Sequence, residues 1–163
     1  MKRSVTVKKF FALICAALML TGCGTSAAVE QTDKPAGEIV DKLASKALRL
    51  KITADDKIFF ATLEDNATVR DFIKKLPTTL PMENLYGREM CYRYGAGALA
   101  ESATRSDGYE VGDLIYWLPR GSFVILYKQN GELFERVQLG HVDGDLSFFD
   151  GGGDMEITFE LAE

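Results

Sequence analysis

Few side chains in this 163-residue chain are equipped for covalent or acid–base chemistry. His141 is the only histidine, so any Ser-His-Asp or Cys-His arrangement must use it. It stands in Leu139-Gly140-His141-Val142-Asp143, where Asp143 could orient the ring. Such an i, i+2 pair on a strand is common, and a structural or solvated imidazole is the simpler reading. Cys91 falls on the strand face opposite Met90, Tyr92 and Tyr94, which suits a buried, inert thiol better than a reactive one. No grouping of Cys, His and carboxylates has zinc-like spacing. Asp143 with Asp145 lacks the twelve-residue calcium pattern and its distal Glu. Gly95 and Gly97 make a lone Gly-x-Gly with no following helix and no Lys or Ser/Thr to complete a phosphate cradle. A plain flexible loop is expected there.

What remains is binding chemistry. Tyr86, Tyr92, Tyr94, Tyr116 and Trp117, with Arg93 and Arg120, could line a groove for a peptide or planar ligand. Most of these aromatics read as core, with Trp117 and Arg120 nearest a turn and so the most exposed. The candidate ligand-binding set is Tyr86, Arg93, Trp117, Arg120 and His141. No catalytic residue, metal or cofactor is assigned.

The elements that must position these residues centre on Gly112–Tyr127. Two apolar runs, Leu114–Leu118 and Phe123–Tyr127, flank Pro119-Arg120-Gly121-Ser122. Short runs rich in β-branched and aromatic residues and bounded by Pro and Gly predict a strand hairpin. Both strands are apolar at nearly every position, so each should be covered on both faces. Upstream, Ala47–Thr53 and Ile58–Glu64 predict a first hairpin. Val69, Phe72, Ile73 and Leu76 then form one helical face, stopped by Pro77 and capped by Thr68 with Asp71 or by Asn66. This helix should plug one mouth of the sheet. A short extended piece, Thr78–Met82, precedes a bend over Pro81 to Gly87, and Arg88–Tyr94 is a further strand. Gly95 to Gly108 is a long loop. Asn130-Gly131 predicts another hairpin turn before a strand from Leu133 to about Val142. Leu146–Asp150 reads as one helical turn, and Met155–Leu161 closes the sheet with clean alternation. The expected class is mainly β: a small closed barrel of seven or eight mostly antiparallel strands, one short α-helix and a helical turn.

The N-terminal segment is a targeting signal. Lys2, Arg3, Lys8 and Lys9 precede an apolar stretch, Phe10–Leu20, too short to span a bilayer alone. Leu20-Thr21-Gly22-Cys23 resembles the bacterial lipobox, whose Cys is diacylated and becomes the new N-terminus. The resemblance implies a lipid anchor on Cys23, and two acyl chains suffice for stable attachment. The expected organisation is a signal peptide over 1–22, a lipid-anchored linker over 23–46 and a domain over 47–163. As a flexible coil the linker holds the domain on the order of 25 Å from the membrane. Cys15 leaves with the signal and Cys23 is modified, so Cys91 is the one remaining thiol and no internal disulfide can form. The whole chain carries nineteen basic and twenty-four acidic residues, a formal charge of −5. Loss of Lys2, Arg3, Lys8 and Lys9 leaves fifteen basic residues and a charge of −9. That balance excludes nucleic-acid binding and a basic patch for anionic lipid.

The order of blocks carries a resemblance. A hairpin and a short helix ending in Leu-Pro precede T-x-L-P-M, then G-D-L-x-Y-W-x-P-x-G-x-x-V-I-x-Y. L-G-H-V-D and G-G-G-D-x-x-I-T-F-E follow. From Leu48 to Leu161 this is similar to the bacterial cyclophilin-like domain family, which implies a small cyclophilin-type β-barrel. Leu118 and Arg120 stand where that family often has a Pro-Pro-Gly turn. The catalytic Arg of true cyclophilins, in an F-H-R-V-I-like strand backed by a Q-G-G-D block, has no counterpart here, since Arg93 is flanked by Tyr92 and Tyr94. Fold alone does not transfer an activity. The expected role is a lipid-anchored, non-catalytic binding or accessory module outside the cytoplasm, on the cell membrane or outer membrane. Its expected partners are the membrane through Cys23 and a peptide, small molecule or envelope protein, with the chain itself a monomer. The alternative is a peptidyl-prolyl isomerase.

Overall fold

The structure, a computed structural model, describes residues 48–163. The expected signal peptide, Cys23 and linker lie outside the described residues. Eight strands form a closed antiparallel barrel: β1 (Arg49–Ala54), β2 (Lys57–Leu63), β3 (Thr78–Leu85), β4 (Glu89–Arg93), β5 (Asp113–Trp117), β6 (Ser122–Leu126), β7 (Val137–Val142) and β8 (Met155–Leu161). Around the barrel the order is β1-β2-β7-β5-β6-β4-β3-β8, with β8 returning to β1. Closure leaves no sheet edge among these strands to be capped or charged. The expected mainly β barrel is the fold observed.

Alternation sets which side chains fill the interior. Leu50 and Ile52 of β1, Leu114 and Tyr116 of β5, Phe123 and Ile125 of β6 and Ile157 and Phe159 of β8 are fully buried in one cluster. Helix α1 (Ala67–Ile73) adds Val69 and Phe72 to it, and the Phe72 ring stacks on Phe123 at 4.7 Å between centroids. Its N-cap is Asn66, whose side chain accepts from the Val69 amide at 2.9 Å. Thr68, the other expected cap, is instead buried and ties the helix to the 95–108 loop. Its hydroxyl donates to the Ala100 carbonyl at 2.7 Å, and its amide donates to Ser102 Oγ at 3.0 Å. The loop is therefore fastened, with Leu99 inserted into the core, rather than free as its glycines suggest.

Two turn expectations do not hold. Pro81 lies within β3 opposite Glu156 of β8, and the chain reverses later, at Tyr86-Gly87. Both of those residues have positive φ (56° and 60°), the conformation of a primed hairpin turn. Asn130-Gly131 does not join adjacent strands. Both edges of β6 are already taken by β5 and β4, so the chain must cross the outer surface before entering β7 between β5 and β2. The residues from 128 to 136 make that crossing, and the expected strand start at Leu133 is displaced to Val137.

The central hairpin is covered on both faces, as its composition predicts. Outside the barrel, Ile115, Val124, Leu126 and Cys91 form a second apolar cluster with Tyr109, packed under Phe134 of the crossing segment. Between β5 and β6 a 3-10 turn (Leu118–Arg120) ends at Gly121, whose φ is +58°. A Cβ there would lie 1.8 Å from the Gly95 carbonyl oxygen, so only glycine fits.

Candidate functional site

The outward face of β4, β6 and β5 carries the site. Strand alternation sends Glu89, Cys91 and Arg93 of β4 outward, beside Ser122 and Val124 of β6 and Ile115 and Trp117 of β5. The crossing segment forms one wall through Asn130, Glu132 and Phe134, and the β3–β4 turn forms another through Leu85, Tyr86 and Arg88. Together they enclose a hollow of about 480 Å³, in the range of sites for small organic ligands.

Four of the five candidate ligand residues, Tyr86, Arg93, Trp117 and Arg120, line this one hollow. Tyr86 is exposed and Trp117 half-buried. His141 is not among them. Register sets it opposite Asp113 on β5, the far end of that strand from Trp117 and about 13 Å along it. There its Nδ1 lies 3.1 Å from Asp113 Oδ1, while Asp143, the orienting carboxylate suggested by sequence, pairs instead with Arg49 Nη2 at 2.8 Å. Of the wider aromatic set, Tyr116 is core, and Tyr92 and Tyr94 pack edge to face at 4.9 Å against that core. Desolvation pushes the Tyr94 hydroxyl up to about 12.

Charge in the hollow is arranged around Arg88. Its guanidinium lies over the Tyr86 ring at 5.7 Å and the Phe134 ring at 6.0 Å, and it is paired with Glu132 and, at 3.5 Å, with Glu89. Its Nε is buried without a hydrogen-bond partner among the described residues. Burial raises the Glu89 carboxyl above the ordinary carboxylate range against the opposing pull of Arg88. Burial likewise raises the Cys91 thiol, partly offset by Ser122, and so disfavours the thiolate. Arg93 pairs with Glu83. Arg120 makes no ion pair or side-chain hydrogen bond among the described residues, and is the free cation at the mouth. Apolar walls, a buried acid and an unspent cation can bind a partly apolar ligand bearing negative charge. No group of three His, Cys, Asp or Glu among the described residues is placed to hold a metal.

Sequence reasoning missed Arg88, Glu89 and Phe134. Counting in twos from Arg93 along β4 puts Glu89 on the same face, and that signal was available. Phe134 carried none, because only the crossing of the outer surface brings it over β5 and β6.

Comparison with known proteins agrees with this barrel. No curated protein matches the chain. Among solved structures, the hypothetical protein AF2241 from Archaeoglobus fulgidus is similar in fold, with a TM-score of 0.54 at 18% identity. The match covers 71% of this chain and 95% of that one. Residues 52–160, from within β1 to the penultimate residue of β8, match the cyclophilin-like family. The chain belongs to the cyclophilin-like family.

Proposed function

We infer that the protein is a lipid-anchored binding module displayed outside the cytoplasmic membrane, and that the hollow over β4, β6 and β5 takes its ligand, a peptide or small organic molecule. The observation that carries the reading is the convergence of Tyr86, Arg93, Trp117 and Arg120 on one hollow walled by aromatic rings. The anchor rests on the lipobox-like Leu20-Thr21-Gly22-Cys23. Binding rather than turnover fits a site whose thiol is buried and whose one histidine is elsewhere.

Trp117 is the only tryptophan, so its emission reports the hollow directly. Titration with short apolar peptides and aromatic carboxylates is expected to shift or quench that emission saturably, and a flat response across both sets sinks the reading. Labelling of growing cells with radioactive palmitate, with Cys23→Ala as control, tests the anchor separately. A label equal in both chains removes it.

A second reading, peptidyl-prolyl isomerase, draws on Arg93, which brings a guanidinium to the apolar hollow. A coupled proline-isomerisation assay at micromolar protein that matches the uncatalysed rate ends that reading.

A further inference from the structure

The hollow does not stop at β4. A second depression of about 600 Å³ lies over β3, β4 and β8, and it shares Cys91 and Arg93 with the first. The Arg93–Glu83 ion pair, spanning β4 and β3, forms the waist between them. The two ends are opposite in charge. In the first hollow Arg88 is engaged by Glu132 and Glu89, and Arg93 by Glu83, which leaves Arg120 as the unspent charge. The second is lined by Glu83, Asp154 and Glu156, with Arg93 its one cation among the described residues. Glu83 is spent on Arg93, and Asp154 accepts from the Asn84 amide at 2.8 Å. Glu156, exposed on β8, has no side-chain partner among the described residues. The surface thus carries a free cation at one end and a free carboxylate at the other.

Extending the ligand reading of the first hollow, we propose that the two depressions are one groove for an extended peptide segment with opposite charges at its ends. An acidic group faces Arg120, apolar side chains lie over Trp117 and Phe134, and a basic side chain faces Glu156. From β5 across β6, β4 and β3 to β8 is four interstrand steps, roughly 19 Å at about 4.8 Å each. An extended peptide rises about 3.3 Å per residue, so a segment of about six residues spans the groove. Charge complementarity, not apolar area, is what fixes the direction in which it lies.

The test uses the full-length chain and six-residue peptides with blocked ends and one shared apolar centre. The set carries acid-to-base and base-to-acid end charges, two acidic ends, or two basic ends. Trp117 emission is expected to give the bipolar peptides an affinity about tenfold above either like-charged peptide, a preference that falls with added salt. Arg120→Glu or Glu156→Lys alone abolishes the preference, and the double reversal restores it. Both positions are exposed, and far-UV circular dichroism checks that the variants fold. Equal affinity across the set, or a preference indifferent to both substitutions, overturns the inference. If aromatic carboxylates perturb Trp117 while no peptide does, the groove is a small-molecule site and only this inference falls. If neither perturbs it, the ligand reading of the hollow falls as well.

Discussion

The guanidinium of Arg136, wholly buried at the entry to β7, donates from Nη1 to the Asp107 carbonyl at 2.8 Å and stands 3.8 Å from the Asp113 carboxylate. Nη2 adds a bond to the Gly108 carbonyl at 3.2 Å, and the group lies over the Phe134 ring at 5.7 Å. One side chain therefore pins the end of the 95–108 loop, the crossing segment and the start of β5 to each other. Arg136→Met keeps an unbranched apolar stem but leaves two carbonyls and the nearly buried Asp113 without their cation. The expected loss is about 3 kcal/mol. For a domain of this size that lowers Tm by roughly 10 °C, measurable by calorimetry. A variant within two degrees of the wild type contradicts this account of Arg136.

Thr68→Val tests the fastening of the loop to α1. The substitution preserves shape but strips the Ala100 carbonyl of its donor. A cost of about 1–2 kcal/mol is expected. Because the loss is local, amide exchange at Ala98 and Ala100 should quicken well before the barrel strands respond. Uniform acceleration across the domain speaks against a separately latched loop.

Gly121 and Gly131 both have positive φ, +58° and +78°, yet substitution should separate them sharply. At Gly131 an added Cβ meets nothing within 4 Å, so Gly131→Ala costs about 1 kcal/mol from backbone strain. At Gly121 the same methyl collides with the Gly95 backbone, and loss of about 4 kcal/mol or more is expected. Urea unfolding of the two variants side by side reads the difference, and similar midpoints refute the packing at the hairpin tip.

Glu89 has a direction of pH dependence that follows from its burial. Its folded-state pKa is raised, so the folded chain holds that proton more tightly than the unfolded chain does. Its contribution is fully present below the unfolded carboxylate value and is lost as pH rises through the higher folded value. Glu89→Gln, which cannot ionise, should gain in Tm relative to wild type across that window and hold a constant advantage above it. A difference that shrinks with rising pH means that the Arg88 pairing outweighs desolvation.

How much was legible in the chain varies with the distance over which a signal acts. The β1–β2 and β5–β6 hairpins, the helix with its Pro77 stop and the alternation of β8 all rest on periodicity and turn chemistry within about fifteen residues. The strands appear in the structure within one or two positions of where the pattern puts them, while the helix ends at Ile73, three residues short of the expected Leu76 and its Pro77 stop. The double-sided burial of β5 and β6 was legible too, because two apolar faces leave no other solution.

Pairings across long separations were not legible. Nothing near Thr78 names β8 as its partner, and nothing near Asn130 warns that both edges of β6 are occupied. By itself the sequence determined which residues are apolar, which strands are short and where the chain can turn, since those depend on side-chain type and local backbone freedom. Tertiary structure alone decided that Tyr86, Arg93, Trp117 and Arg120 share a hollow while His141 lies apart beside Asp113. The reason is physical: strand register, set by the closure of the whole barrel, assigns each outward side chain its neighbours, and no local preference encodes it.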